Sequence, residues 1–224
     1  VKPKFYFISG SGNKKTFTKN NLYKISKSLK SEQDKFNIDL CGGDTTFSNK
    51  LSFTITSMGY SNKIIYRNKA KSNDDIYVTG NLGDSYLGLK LLSNKPKLKN
   101  KDKLFFIDKY YKPVLPFNLT KYLLKFANCS IDVSDGLIDD LSKMINRQNL
   151  SFHLYEKKIP VSKKLRNVIT NQRLNKINLV SKGDDYQVLF TAGVNKARII
   201  KNSSKTTGVK SKSSIKIIFT VTMD

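Results

Sequence analysis

The apolar positions of this chain recur with two periods, and the switches between them outline its elements. Phe5 to Ile8 is a short apolar run that reads as a buried strand, followed by a loop over Ser9 to Lys15. Leu22, Ile25 and Leu29 lie at helical spacing and predict a helix within 17–36, with Thr16 or Thr18 as its cap. Ile38 to Cys41 runs into Gly42-Gly43-Asp44-Thr45-Thr46, and Leu51, Phe53 and Ile55 then alternate with Ser52, Thr54 and Thr56 as in a half-buried strand. A polar, basic stretch over 62–73 reads as the junction between two lobes, residues 1–68 and 69–224.

The second lobe opens with Asp74 to Gly80, a strand ending in a turn, and continues with helices over 82–92 and 117–127. Ser130 to Ser134 reads as a strand, Leu137 to Ile145 as a helix with Leu137, Ile138, Leu141, Met144 and Ile145 on one face, and Tyr186 to Thr191 as another strand. Strands and helices alternate throughout, which places the chain in the α/β (or α+β) class.

Charge changes this picture only in part. The formal charge of +24 would attract polyanions, but the lysines are dispersed, no nucleic-acid-binding motif accompanies them, and AT-rich coding would also favour Lys, Asn and Ile together. The denser run from Lys95 to Lys103 reads as a solvated loop. No apolar run is long enough to span a bilayer. Cys41 and Cys129, the two cysteines, read as small buried thiols in a reducing cytoplasm. His153, the single histidine, excludes a multi-histidine metal site, makes a His-based triad a poor fit, and reads as a strand residue.

The acids are the informative minority, because many fall beside glycines. In Ile131-Asp132-Val133-Ser134-Asp135-Gly136-Leu137, Asp132 and Ser134 share one face of a strand that ends at a helix start. Free N–H groups there can hold a phosphate, and carboxylates beside them can hold Mg²⁺ bridging phosphate oxygens. Capping by Ser134 or Asp135 is the structural alternative. Gly42-Gly43-Asp44 allows a close ligand approach and a metal contact, or a plain turn. Gly183-Asp184-Asp185-Tyr186 sets two carboxylates side by side, which requires a donor or cation between them or full solvation. Thr79-Gly80-Asn81-Leu82-Gly83-Asp84 matches neither dinucleotide nor P-loop spacing and reads as a structural turn.

Taken in order, these motifs, with Arg67, Tyr111-Lys112-Pro113 and Leu189-Phe190-Thr191, resemble the thiamine-monophosphate kinase family. That family belongs to a superfamily with aminoimidazole ribonucleotide synthetase, selenophosphate synthetase and a hydrogenase maturation factor. The resemblance runs from about Lys2 to about Val194 by motif placement. It implies a two-lobed aminoimidazole ribonucleotide synthetase-like fold, with an incomplete first lobe followed by a second α/β lobe. It also implies transfer of the γ-phosphate of ATP to thiamine monophosphate, with Mg²⁺, in a cytoplasmic homodimer. By the same resemblance Gly43, Asp44, Arg67 and Ser134 are ATP contacts, Asp44, Asp132 and Asp135 are metal ligands, and Asp184 is a substrate contact.

The chain departs from the family in several places. The upstream Gly-Asp-Asp and Ser-Thr-Asp segments have no counterpart here, residues 203–224 fit poorly, Lys182 replaces a usual Gly, and Gln187 a usual Glu. The expectation is an N-terminally incomplete copy that lacks part of its metal cage. A superfamily ATPase with another substrate, and a non-catalytic nucleotide- or polyanion-binding fragment, are the competing readings.

Overall fold

A computed structural model describes residues 2–93, 98–206 and 216–223. The chain divides into two compact units, Val1–Ile64 and Ile65–Asp224. In the first, β1 (Lys2–Gly12) is the middle strand, parallel to β2 (Asp39–Phe47) and antiparallel to β3 (Ser52–Tyr60). The parallel pair is joined through α1 (Lys19–Phe36), as such a connection requires a crossover. Thr18 caps α1 by accepting from the Asn21 N–H at 3.3 Å, and Asn37 ends the helix in the left-handed conformation.

Several sequence readings change in this unit. Of the run Phe5 to Ile8, expected to be buried, only Tyr6 is buried and Phe7 is exposed, and Cys41 is exposed rather than buried. The loop expected at Ser9 is the continuation of β1 as far as Gly12. Gly42-Gly43-Asp44-Thr45-Thr46 is strand rather than turn. The register slips at Tyr6/Phe7, so that Leu40 faces Tyr6 while Gly42 faces Phe7, and Cys41 is the extra residue of a bulge. A Cβ on Gly43 would lie 1.7 Å from the Ile8 carbonyl oxygen, so glycine is what lets the two backbones meet there. Finally, β3 is not half-buried: Phe53 is 42% and Ile55 57% exposed. Alternation reports the two faces of a strand but not whether anything covers the apolar one.

The second unit is built on a five-stranded antiparallel sheet in the order β5-β7-β4-β8-β6. Its strands are β4 (Asp74–Val78), β5 (Cys129–Asp132), β6 (Leu150–Phe152), β7 (Val188–Gly193) and β8 (Lys216–Met223). The helices are α2 (Asp84–Leu92), α3 (Asn100–Tyr111), α4 (Phe117–Leu123), α5 (Leu137–Ile145), α6 (Lys163–Gln172), α7 (Lys176–Val180) and α8 (Ala197–Thr206). Strand alternation in β4 and β7 sends Ile76, Val78 and Leu189 into one core and Tyr77 and Phe190 into another. The first core gathers residues of α2, α3, α5, α6 and α7; the second gathers Leu119, Leu123, Phe126 and Ile200. Tyr77 and Phe190 stack at 5.2 Å between ring centroids.

Residues 100–103 of the expected basic loop begin α3, while 94–97 lie outside the described residues. His153 follows β6 directly and is exposed rather than within a strand. The poorly matching tail contains the end of α8 and all of β8, with 207–215 and 224 outside the described residues.

Candidate functional site

The acidic turn after β5 is held in place from below. Val133 packs fully buried in the larger core, and the chain turns at Ser134, Asp135 and Gly136 before α5 begins. The backbone N–H groups of Ser134, Asp135 and Gly136 all donate to one oxygen, Oδ2 of Asp140, at 3.0, 3.1 and 3.1 Å. Asp140 is fully buried, one turn into α5. Its carboxylate thus serves as an internal anion for the three N–H groups that lead into α5. Neither Ser134 nor Asp135 caps α5 through its side chain, and Gly136 stands at the cap position with φ 125°. The other oxygen of Asp140 accepts from Lys143 Nζ at 2.7 Å, and Lys143 also pairs with Asp135. The two carboxylates, Asp135 first, hold the Lys143 ammonium above the usual lysine range.

A second loop is locked onto this turn through backbone. The Asp184 N–H donates to the Ser134 carbonyl at 3.0 Å and the Tyr186 N–H to that of Val133 at 2.9 Å. In return the Val133 N–H donates to the Gln187 carbonyl at 2.8 Å. A Cβ on Gly183 would lie 1.5 Å from the Ser134 oxygen, so only glycine permits this approach. Asp184 and Tyr186 both have positive φ, 66° and 49°, which turns their side chains away from a regular strand course. The Tyr186 phenol is pushed up by burial and by the nearby Asp184 carboxylate, with smaller contributions from Asp132 and Tyr110.

The adjacent pair Asp184-Asp185 is split between solvent and interior. Asp185 is buried, and its carboxylate accepts from the N–H groups of Gly83 at 2.7 Å and Ser85 at 3.4 Å, at the start of α2. Burial pushes Asp185 up to about 7 against the pull of those donors. Asp84 beside it is pushed up to about 6 by burial, opposed by the Ser162 hydroxyl, which donates to it at 2.7 Å. The turn from Thr79 to Asp84 is thus tied to the 183–187 loop. Gln187 adds to this by accepting from the Thr79 hydroxyl at 2.8 Å and donating to the Val114 carbonyl at 2.9 Å.

The structure places Asp132, Ser134, Asp135 and Asp184 in this one assembly of the second unit, with Asp132 and Asp135 exposed. Arg67 belongs to the same unit, on an exposed bend next to Tyr66, whose carbonyl accepts from the Ser130 N–H at 3.2 Å. Gly43 and Asp44 belong to the first unit, where Asp44 is exposed on β2 and accepts from the Thr45 N–H at 2.7 Å. Asp74 proves structural: it is buried and accepts from Asn128, Thr191 and the Lys71 N–H. Among the described residues, no group of three or more His, Cys, Asp or Glu side chains could hold a metal ion. Mg²⁺ often takes only one or two carboxylates and completes its shell with water and substrate phosphates. Exposed Asp132 and Asp135 fit an ion of that kind, not a closed protein cage.

Sequence reasoning missed Asp140 and Lys143, which organise the acidic turn. The signal available was an acid four residues after the glycine of the turn and a lysine three residues beyond it, on one face of a predicted helix.

No family model matches the chain. Among curated proteins, it is 36% identical to the thiamine-monophosphate kinase of Haemophilus influenzae over 169 residues, covering 75% of this chain and 51% of that protein. It is 37% identical over 191 residues to the thiamine-monophosphate kinase of Buchnera aphidicola subsp. Acyrthosiphon pisum, covering 81% of this chain and 58% of that protein. The chain thus spans about half the length of the curated relatives it matches. Among solved structures, the thiamine-monophosphate kinase of Stenotrophomonas maltophilia K279a superposes with a TM-score of 0.87 at 24% identity, covering 100% of this chain and 71% of that one. The structure described as AaThiL complexed with AMPPCP and TMP gives 0.84 at 24% identity, covering 99% and 68%. HypE of E. coli, a hydrogenase maturation protein, gives 0.77 at 16% identity, covering 100% and 69%. These likenesses establish the two-lobed α/β fold expected from the motifs, and the sequence matches establish the relationship: the chain belongs to the thiamine-monophosphate kinase family, over about half the length of its members.

Proposed function

We propose that this chain forms part of an enzyme that transfers the γ-phosphate of ATP to thiamine monophosphate, giving thiamine diphosphate. The observation that carries this reading is the 36–37% identity to curated thiamine-monophosphate kinases across three quarters or more of the chain. The locked 132–136 and 183–187 loops support it, because in-line phosphoryl transfer asks a protein mainly for positioning and charge neutralisation. In this reading Asp132 and Asp135 hold Mg²⁺ together with nucleotide phosphates, and Ser134 and Arg67 meet ATP. Asp184 meets the substrate, and Gly43 and Asp44 supply a further ATP and metal contact. The bound ion would neutralise developing charge on the transferred group.

A homodimer is the expected assembly. The exposed Phe7 and Met58, which the strand register puts on one face of the first unit's sheet, support it, since exposed apolar surface commonly marks an interface. A cytoplasmic location accords with free Cys41 and Cys129, and no described helix is long and apolar enough to cross a membrane.

The test is an assay for thiamine diphosphate formed from ATP and thiamine monophosphate. It is run on the 224-residue chain and on the chain joined to the part of the Haemophilus influenzae kinase that it does not match. Mg²⁺-dependent product in the joined protein, lost in Asp132→Asn without loss of fold, is the expected outcome. No product from either protein would reject the reading, and undiminished activity in Asp132→Asn would reject the role of that residue.

A further inference from the structure

The Lys143 ammonium sits on two carboxylates of different character. Asp140 is fully buried and already anchored by three backbone N–H groups. Asp135 has a side chain 62% exposed and pairs with Lys143. Asp140 is the acceptor for Ser134, Asp135 and Gly136 through Oδ2, and Lys143 balances its buried charge at Oδ1. Lys143 also adds a positive charge at the carboxylate that faces solvent. Lysine suits this role, because its compact charge rides on a flexible four-carbon stem and can shift without disturbing the backbone.

We propose that Lys143 is a tethered counter-ion of Asp135, parked on Asp140, which a divalent cation must displace before it can bind at Asp135. The proposal rests on the reading of Asp135 as a cation ligand. In the absence of an ion, Lys143 neutralises the acidic turn. When an ion arrives with its substrate phosphates, the ammonium gives up Asp135 and keeps Asp140, so the turn stays ordered through the exchange. Lys143 is thus a positioning residue that sets the cation affinity of the turn, by competition and not by coordination.

The experiment measures binding of Mn²⁺ to the full chain through loss of the free-ion electron paramagnetic resonance signal, a readout independent of turnover. Wild type, Lys143→Met, Lys143→Arg, Asp135→Asn and the Lys143→Met/Asp135→Asn double variant are compared. Lys143→Met keeps the aliphatic stem and should bind Mn²⁺ about fivefold more tightly, the upper range for one exposed charge pair. Lys143→Arg keeps the charge and should match wild type, and Asp135→Asn should cancel the gain in the double variant. A Lys143→Met affinity that is unchanged or weaker, with Asp135→Asn still weakening wild type, overturns the counter-ion role and leaves Asp135 a ligand. A gain in Lys143→Arg as large as in Lys143→Met also overturns it, since charge would not be the cause. Binding insensitive to Asp135→Asn in both backgrounds, or no Mn²⁺ uptake at all, rejects the cation site itself and the proposal with it.

Discussion

Asp140 and Asp185 show how a carboxylate can shape a site without facing it. Both are buried, and both accept backbone N–H groups beside a helix N-terminus: Asp140 from the turn leading into α5, Asp185 at the start of α2. An N-terminal set of N–H groups is an anion site whether the anion is a ligand or the protein's own side chain, and here the protein supplies it. Asp185 carries a consequence for pH. Its carboxyl titrates near 7 in the fold against an ordinary value of 3.8, so the folded state holds the proton more tightly than the unfolded chain. Stability from this group is full below about pH 4 and is lost as pH rises towards 7 and through it. Asp84, pushed up to about 6, acts with the same sign over a narrower window. Thermal midpoints between pH 4 and 8 should therefore fall less with rising pH in Asp185→Asn than in wild type. Equal slopes in the two proteins would show that Asp185 ionises freely in the fold. Asp132, Asp135 and Asp184 stand out as candidates in the sequence, because acids in glycine-containing turns are conspicuous in a basic chain. Asp140 and Lys143 are hidden there because a helix-face acid and lysine look like ordinary solvated pairs until burial is known.

Among the helices and strands, strong periodicity locates an element well and weak periodicity does not. The helix over Leu137 to Ile145 forms at those residues, since five apolar side chains on one face leave no other way to bury them. The Gly42 to Thr46 segment reads as a turn because glycine pairs commonly punctuate strands, yet here they continue one. A parallel partner with a bulge needs backbone close to backbone, which local composition does not report. The same device recurs where the 183–187 loop crosses the acidic turn, with Gly183 against Ser134. Gly183→Ala should therefore push the two loops apart, costing about 2–4 kcal/mol by strain and by loss of the Asp184 and Tyr186 backbone bonds. Chemical denaturation should show that loss. A change below about 0.5 kcal/mol, the range of an ordinary surface substitution, would mean the loops do not meet as described.

Taken as a whole, the molecule has two units that differ in what they bury. The second holds two hydrophobic cores on either side of its sheet, with Ile76, Val78, Leu189 and Phe190 fully enclosed. In the first, α1 has no buried residue and every described residue of β2 is exposed. Amide hydrogen exchange should accordingly be slowest in β4 and β7 and faster by orders of magnitude in β2 and β3, as local stability follows buried apolar area. Equal protection of β3 and β4 in the isolated chain at low concentration would contradict this. The alternation of helices and strands, the class of fold, the family and the acidic turns are all set out in the sequence, because periodicity and short glycine–acid spacings are local properties. Which acids face solvent and which serve as internal anions is settled only when the chain has folded. So is the strand course of Gly42 to Asp44, and so is the exposure of the first unit's apolar side chains, because each depends on what distant segments bring alongside. The acidic turns that mark the family are thus legible one by one, while the cradle beneath them exists only once Asp140 and the 183–187 loop have closed on it.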